Sequence, residues 1–142
     1  MLNINLTGTE SVFAKFKALD DALKSKVVTR LAEAVYDDVE QAVDKHTKTG
    51  TLFQSLRLKK VSDGYEIYHD LQRAPHALFV HWGTKPHVIK PKDKKSLRWP
   101  SGNGFVFAKF VKHPGYKGDP YMDRAATNAP RHFEQIIRDM RL

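Results

Sequence analysis

Residues 20–46 read DDALKSKVVTRLAEAVYDDVEQAVDKH, and their pattern is the strongest structural signal in the first third of the chain. Five apolar residues in it recur at every fourth position, which is the spacing of one face of an α-helix. They are Val27, Leu31, Val35, Val39 and Val43. Asp20 and Asp21 suit the N-cap and first turn of such a helix. We therefore predict a long amphipathic helix, with Gly50 marking its exit soon after His46.

The helical spacing also continues upstream of Asp20. A single helix from Glu10 to His46 would be about 55 Å long, which is long for a small domain. We therefore expect a short helix from Glu10, a joint near residue 20 and then the longer helix. Before Glu10, apolar residues alternate with polar ones over residues 2–7, and this period of two predicts a short strand that ends at Gly8.

The middle of the chain has the pattern of β-structure, and the end has that of a helix. The Asp63-Gly64 pair predicts a hairpin between strands 55–61 and 65–69. Further short strands are predicted at 77–82, 88–90, 96–99 and 105–111, the last of them buried on both faces for part of its length. A terminal helix is predicted over 122–140, kinked or restarted at Pro130, with its apolar face formed by Ala125, Ala126, Phe133, Ile136, Ile137 and Met140. We assign the chain to the α+β class: one domain, 1–142, whose mostly antiparallel sheet packs against the long N-terminal helix.

Charge is unevenly distributed along the 142 residues. The whole chain has a net charge of +8, which favours an acidic partner. Residues 1–44 hold 5 basic and 8 acidic residues, whereas residues 85–124 hold 10 basic and 3 acidic residues. There is no cysteine, so disulfides, thiolate catalysis and cysteine-based zinc sites are excluded. No apolar run approaches the roughly 20 residues that span a bilayer, and no signal peptide is recognised, so we expect a cytoplasmic protein with no membrane partner.

No catalytic, cofactor-binding or metal-binding constellation is recognised in the sequence. His76, His81 and His87 lie close together but lack the spacing of a zinc site, so we interpret them as loop and sheet-edge histidines. A nucleophile elbow, a phosphate-binding loop and a dinucleotide fingerprint are all absent. The acidic residues of the long helix are interpreted as a solvated face. We therefore expect a protein that is not an enzyme and that needs no cofactor.

The most distinctive local feature is a predicted projecting basic hairpin at about 85–99. Its strands would be 88–90 and 96–99, and its turn 91–95. Its candidate contact residues are Lys85, Lys90, Lys92, Lys94, Lys95, Arg98 and Trp99. Basic residues interleaved with aromatic ones can bind a nucleic-acid backbone and stack on bases, or can dock on an acidic protein surface. Lysines at an exposed edge also deter unwanted strand pairing, so three interpretations stay open.

Three stretches in order resemble a known protein family. The first is TGTLFQSL at 49–56, and the second is APHALFVHWGTKPH at 74–87. The third begins with FAK at 107–109 and continues as HPG at 113–115 and DPYMDRA at 119–125. Together they are similar to the tail-completion, or neck, proteins that join heads to tails in long-tailed bacteriophages. The resemblance departs from the family pattern at His76 and His81, where the family often has a tyrosine and an acidic residue.

The resemblance implies a small α+β subunit without catalysis, located at the neck of the virion after synthesis in the host bacterial cytoplasm. Family members form homo-oligomeric rings, for which a hexamer is expected. Their partners are the head-connector or stopper protein and the tail terminator or tail tube, and DNA passes through the lumen. The family-motif residues with scaffold roles are Thr49, Gly50, Leu52, Gly83, Thr84, Pro120 and Arg124. A second loop, with Pro114, Gly115, Tyr116 and Lys117, joins the basic hairpin as a candidate contact element. The alternative is a nucleic-acid-binding module that uses the basic hairpin.

Overall fold

A computed structural model describes residues 3–7 and 19–142, and it has the predicted α+β architecture. The predicted short helix upstream of residue 20 lies outside the described residues. Seven strands and four helices are formed by the described part of the chain. In order they are β1 (Asn3–Thr7), α1 (Asp21–Asp44), α2 (Thr51–Ser55), β2 (Leu56–Val61), β3 (Gly64–His69), α3 (Ala77–Trp82), β4 (His87–Ile89), β5 (Leu97–Ser101), β6 (Gly104–Ala108), β7 (Val111–His113) and α4 (Tyr121–Asp139).

The long helix α1 begins and packs as the sequence predicts. The Asp20 carboxylate accepts a hydrogen bond from the Leu23 backbone N–H at 2.8 Å, which caps the helix, and Asp21 occupies the first turn. The five residues spaced at four, from Val27 to Val43, are all buried. Gly50 does not end this helix, because α1 ends at Asp44 and Gly50 instead precedes α2, with φ of 81°.

A three-stranded antiparallel sheet and α4 complete the core with α1. The strand order is β1-β3-β2, and β2 and β3 form the predicted hairpin through Ser62 and Asp63. Helix α4 packs against α1, and the His132 side chain joins Asp38 across this contact at 2.7 Å. Helix α4 runs from Tyr121 to Asp139 as one helix that includes Pro130, so the restart predicted at Pro130 is wrong. Ala126, predicted on the apolar face of this helix, is exposed.

The segment predicted as a strand at 77–82 is helix α3. A short apolar run does not distinguish a buried strand from a helix by its periodicity alone. In the structure Ala77 and His81, four residues apart, are buried, whereas Phe79 and Trp82 are exposed. That is the burial pattern of a helix rather than of a strand. Gly83 therefore ends a helix, with φ of 79°.

The predicted basic hairpin does not form by pairing 88–90 with 96–99. Instead β4 pairs with β7, and β5 pairs with β6, both antiparallel. The tight turn lies at Gly102-Asn103, where positive φ at Gly102 alone matches a type II′ hairpin. Residues 91–96 connect β4 to β5 as an exposed basic loop. The strand predicted at 105–111 ends at Ala108, and it is exposed on both faces rather than buried.

Candidate functional site

Two loops that carry the glycine motifs meet backbone to backbone. The Thr84 N–H donates to the Tyr116 carbonyl oxygen at 2.7 Å, and the Tyr116 N–H donates to the Thr84 carbonyl oxygen at 2.9 Å. Gly83, Gly115 and Gly118 all have positive φ, and a Cβ atom at any of them would overlap backbone atoms of the facing loop. Only glycine satisfies both constraints. We call this contact the glycine junction, and it comprises residues 83–86 and 114–118.

Asp119 follows the glycine junction and binds three other elements of the fold. Its carboxylate accepts a hydrogen bond from His46 Nε2 at 2.6 Å and another from the Arg124 guanidinium. Its backbone N–H donates to the Val80 carbonyl oxygen at 2.9 Å. The Arg124 hydrogen bond, assisted by that of His46, lowers the pKa of Asp119 to about 2. Asp119 and Arg124 thus join the end of α1, helix α3 and the start of α4, where Pro120 is the residue that precedes the helix.

A buried chain of hydrogen bonds links Ser55, His69 and Tyr121. Ser55 Oγ donates to the Leu52 carbonyl oxygen at 2.6 Å and lies 2.8 Å from His69 Nδ1. Because the single hydroxyl proton of Ser55 is used, His69 Nδ1 donates to Ser55, and His69 Nε2 accepts from Tyr121 Oη at 2.8 Å. Burial lowers the pKa of His69 to about 4 and raises the pKa of Tyr121, which keeps both groups neutral.

Ser55 and His69 resemble the serine–histidine pair of a hydrolase, but the direction of their hydrogen bond does not suit nucleophilic catalysis. A nucleophilic serine donates its proton to the histidine, whereas Ser55 accepts a proton from His69. Ser55 is also fully buried, so no substrate reaches its oxygen. The chain of hydrogen bonds therefore satisfies polar groups inside the core. Sequence reasoning missed it, because no local spacing relates three residues that lie 14 and 52 positions apart.

His81 is buried with both ring nitrogens unpartnered. Its exposed fraction is 1%, and neither nitrogen has a hydrogen-bond partner among the described residues. Its ring packs edge-on against Tyr121 with centroids 5.1 Å apart, and burial lowers the pKa of His81. The interpretation of His81 as a loop or sheet-edge residue is wrong. In the part of the chain that the structure describes, no group of three or more histidine, aspartate or glutamate side chains is arranged to hold a metal ion.

The candidate contact residues lie on a part of the chain that has no buried residue. All of residues 82–120 are described, and every one of them is exposed or half-buried. Residues 85–118 hold nine basic residues and one acidic residue, a net charge of +8 that equals the net charge of the whole chain. We call residues 85–118 the extension. It consists of the β4–β7 ribbon, the basic loop 91–96 and the β5–β6 hairpin.

The basic loop borders an open groove on the extension. Lys92, Lys94 and Lys95 line this groove together with Arg98 and Phe107, and its volume is about 580 Å³. The Arg98 guanidinium carbon lies 4.4 Å from the centroid of the Phe105 ring, a cation–π contact. None of the lysines or arginines of the extension forms an ion pair with another described residue. The loop therefore presents unneutralised positive charge beside aromatic rings.

The β5–β6 hairpin also exposes apolar side chains on both of its faces. Phe105, Phe107 and Trp99 are 55%, 63% and 39% exposed, and Val106 is 39% exposed. An isolated two-stranded sheet is marginally stable in water, and here neither face is covered by the described body. Exposed apolar patches of this kind are typical of surfaces that bind another molecule.

The remaining predicted residues lie in three places: at the start of α2, at the edge of a second groove and on the exposed surface of the extension. Leu52 is buried, and the Thr49 hydroxyl lies 3.1 Å from that of Thr51 beside Gly50 at the start of α2. Lys85 and Tyr116 line an apolar groove of about 810 Å³ between α3 and the β4–β7 ribbon. Pro114, Lys117 and Lys90 are exposed on the extension. The structure thus separates the scaffold residues from the contact candidates, and the two sets meet at the glycine junction.

Comparisons with known proteins assign no relative to this chain. No protein-family model matches it, and neither a curated protein nor a solved structure is significantly similar to it. Within the described residues, no helix is both long enough and apolar enough to cross a membrane.

Proposed function

We propose that this chain is a structural subunit of the head–tail junction of a long-tailed bacteriophage. It assembles with copies of itself into a ring that joins the head connector, or its stopper protein, to the tail terminator or tail tube. DNA passes through the lumen of the ring. It is made in the host bacterial cytoplasm, becomes part of the virion neck and carries out no catalysis.

The observation that carries this proposal is the uncovered extension. A segment with no buried residue, with net charge +8 and with apolar side chains on both hairpin faces is typical of a subunit whose fold is completed by assembly. The family resemblance supports the same function, because two of its motifs, at Gly83-Thr84 and at Pro114-Gly115, meet in the glycine junction. The orientation of the buried Ser55–His69 pair supports a role without catalysis.

Deletion of the gene from the phage that encodes this chain tests the proposal. The expected result is that filled heads and complete tails accumulate separately in the lysate and that electron microscopy finds few joined particles. Wild-type protein supplied from a plasmid restores joining, and antibody labelling places it at the neck. A variant with Phe105→Ser and Phe107→Ser, which keeps the folded body, does not restore joining. Joined and infectious particles in the deletion lysate would refute the proposal.

A second candidate function is nucleic-acid binding through the basic loop. The groove beside Lys92, Lys94 and Lys95, with Phe107 in its wall, favours this function. It predicts DNA binding whose log K falls by about 0.9 per neutralised phosphate as log salt rises. Replacement of the three lysines by glutamate removes binding and flattens that slope. The matched control is a variant in which Lys26, Lys59 and Lys60 are replaced by glutamate, because these three lysines are exposed on the body of the protein. The absence of binding at low salt excludes this function.

A further inference from the structure

Positive and negative charge are segregated within the folded chain. The extension accounts for the whole net charge of +8, so the remaining residues sum to zero. Within those residues, the second half of α1, residues 33–44, contains five carboxylates and no lysine or arginine. Asp38 is bound to His132, whereas Glu33, Asp37, Glu40 and Asp44 form no ion pair with any other described residue.

The last turn of α1 does not neutralise this negative charge, and the first basic residue after it is the C-cap, Lys45. The last turn of α1 contains no basic residue, although the carbonyl groups at a helix C-terminus attract positive charge. Helix α2 and strand β2, which both pack against α1, carry the exposed apolar residues Phe53 and Leu58. We call Glu33, Asp37, Glu40 and Asp44 the acidic face of α1.

We propose that the extension of one copy docks on the acidic face of α1 in a second copy of this chain. Lys92, Lys94 and Lys95 of the basic loop meet the carboxylates, and the aromatic side chains of the β5–β6 hairpin cover apolar surface of α2 and β2. The two surfaces differ, so every copy keeps one of each available for a further neighbour. This inference rests on the proposed function, and it names the interface by which the ring would close.

A second protein copy fits the hairpin better than nucleic acid does. Val106 of the hairpin is exposed, and so are the β4 residues Val88 and Ile89. Aliphatic side chains such as these gain from burial but do not stack on bases. The basic loop contains lysines rather than the arginines that make bidentate contacts with guanine. Charge complementarity between these two different surfaces of the same chain also orients the encounter head to tail.

Charge reversal on each surface separately tests this interface. In the first variant Lys92, Lys94 and Lys95 are replaced by glutamate, and in the second Glu33, Asp37 and Glu40 are replaced by lysine. All six positions are exposed or half-buried, and lysine and glutamate both favour helix, so circular dichroism should match that of the wild type. Sedimentation velocity at low salt should show that the wild type self-associates. In each variant alone the association constant should be lower than that of the wild type by roughly tenfold or more.

Mixing the two variants gives the decisive readout. In an equimolar mixture the acidic loop of the first variant can dock on the basic α1 face of the second variant. The unchanged basic loop of the second variant can dock on the unchanged acidic face of the first. Association should therefore return to about the wild-type level. In the control variant, glutamate replaces Lys26, Arg131 and Arg138, which are exposed and lie outside both proposed surfaces. It changes the net charge by as much as the first variant does, and it should associate as the wild type does. A monomeric wild type, a variant that associates normally, or a mixture that stays dissociated would each overturn the interface. Loss of DNA binding with unchanged self-association in the first variant would instead assign the loop to nucleic acid.

The same variants in the phage separate this inference from the proposed function. If the interface is right, each variant alone fails to restore head–tail joining in the deletion phage, and the two variants expressed together restore it. If the gene is needed for joining but each variant restores it alone, the ring proposal stands and this interface is wrong. If joining does not need the gene, the proposed function itself fails.

Discussion

Among single residues, Gly83 and Gly115 each combine a positive φ with close contact to a facing backbone. A side chain at such a position costs about 1–2 kcal/mol for positive φ, before any overlap is counted. Gly102 has φ of 57° but nothing within 4 Å of where its Cβ would lie. The three positions therefore separate the cost of conformation from the cost of overlap.

Alanine substitution at these positions should give unequal losses of stability. We expect Gly102→Ala to lower the free energy of unfolding by about 1–2 kcal/mol at most, because only its conformation is strained. Gly83→Ala and Gly115→Ala should each cost clearly more, since the facing backbone must also move. Urea denaturation of the three variants measures the difference. Equal losses at all three positions would show that the glycine junction is not closely packed.

The buried His69 makes stability depend on pH in a defined direction. Its pKa is about 4 in the folded protein and about 6.5 when unfolded, because burial disfavours its charged form. The unfolded state therefore takes up the proton first, and the free energy of unfolding decreases as pH falls from about 6.5 to about 4. His69→Gln, which cannot be protonated, should be less stable at neutral pH and should lose less stability over that interval. Urea denaturation across the interval measures both slopes, and identical slopes would contradict the assignment.

At the element scale, the start of α1 depends on one side chain. The Asp20 carboxylate accepts the Leu23 N–H that would otherwise have no partner. We expect Asp20→Ala to lower the free energy of unfolding by about 0.5–2 kcal/mol and Asp20→Asn, which keeps an acceptor, to lower it less. Thermal unfolding followed by circular dichroism compares the two variants. If both variants lose the same amount, the cap does not contribute as described.

The elements differ in how well the sequence predicts them, and the difference has a physical cause. Helix α1 and the β2–β3 hairpin were predicted because local signals specify them, namely a stripe of period four and a two-residue turn. The sequence pattern predicts the wrong partner for strand β4, because the choice between β5 and β7 depends on the tight turn at Gly102 and on residues more than twenty positions away. The extension has no buried face to impose a register, so its alternation of apolar residues carries little information.

At the scale of the whole molecule, a packed body carries an extension without a core of its own. Exposed loops with few packing contacts open most readily, so trypsin should first cut the free protein at the lysines of the basic loop 91–96. In the proposed ring those lysines should be protected, while basic residues of the body outside the proposed interface, such as Arg131, keep their susceptibility. Mass spectrometry of the first fragments, from dilute protein and from isolated particles, makes the comparison. An initial cut within α1 would contradict the division between body and extension.

Periodicity, capping and composition are local properties, so the amino-acid sequence alone predicts the α+β class, both long helices and the concentration of positive charge after Lys85. It also excluded cysteine chemistry. The three-dimensional fold is needed to show that 77–82 is a helix, that His81 is buried, and that two distant loops meet at three glycines. These features arise from contacts such as that of Thr84 with Tyr116, between residues far apart along the chain. A single sequence carries no local signal for such contacts, because the free energy that selects them is gained only when the whole fold has formed.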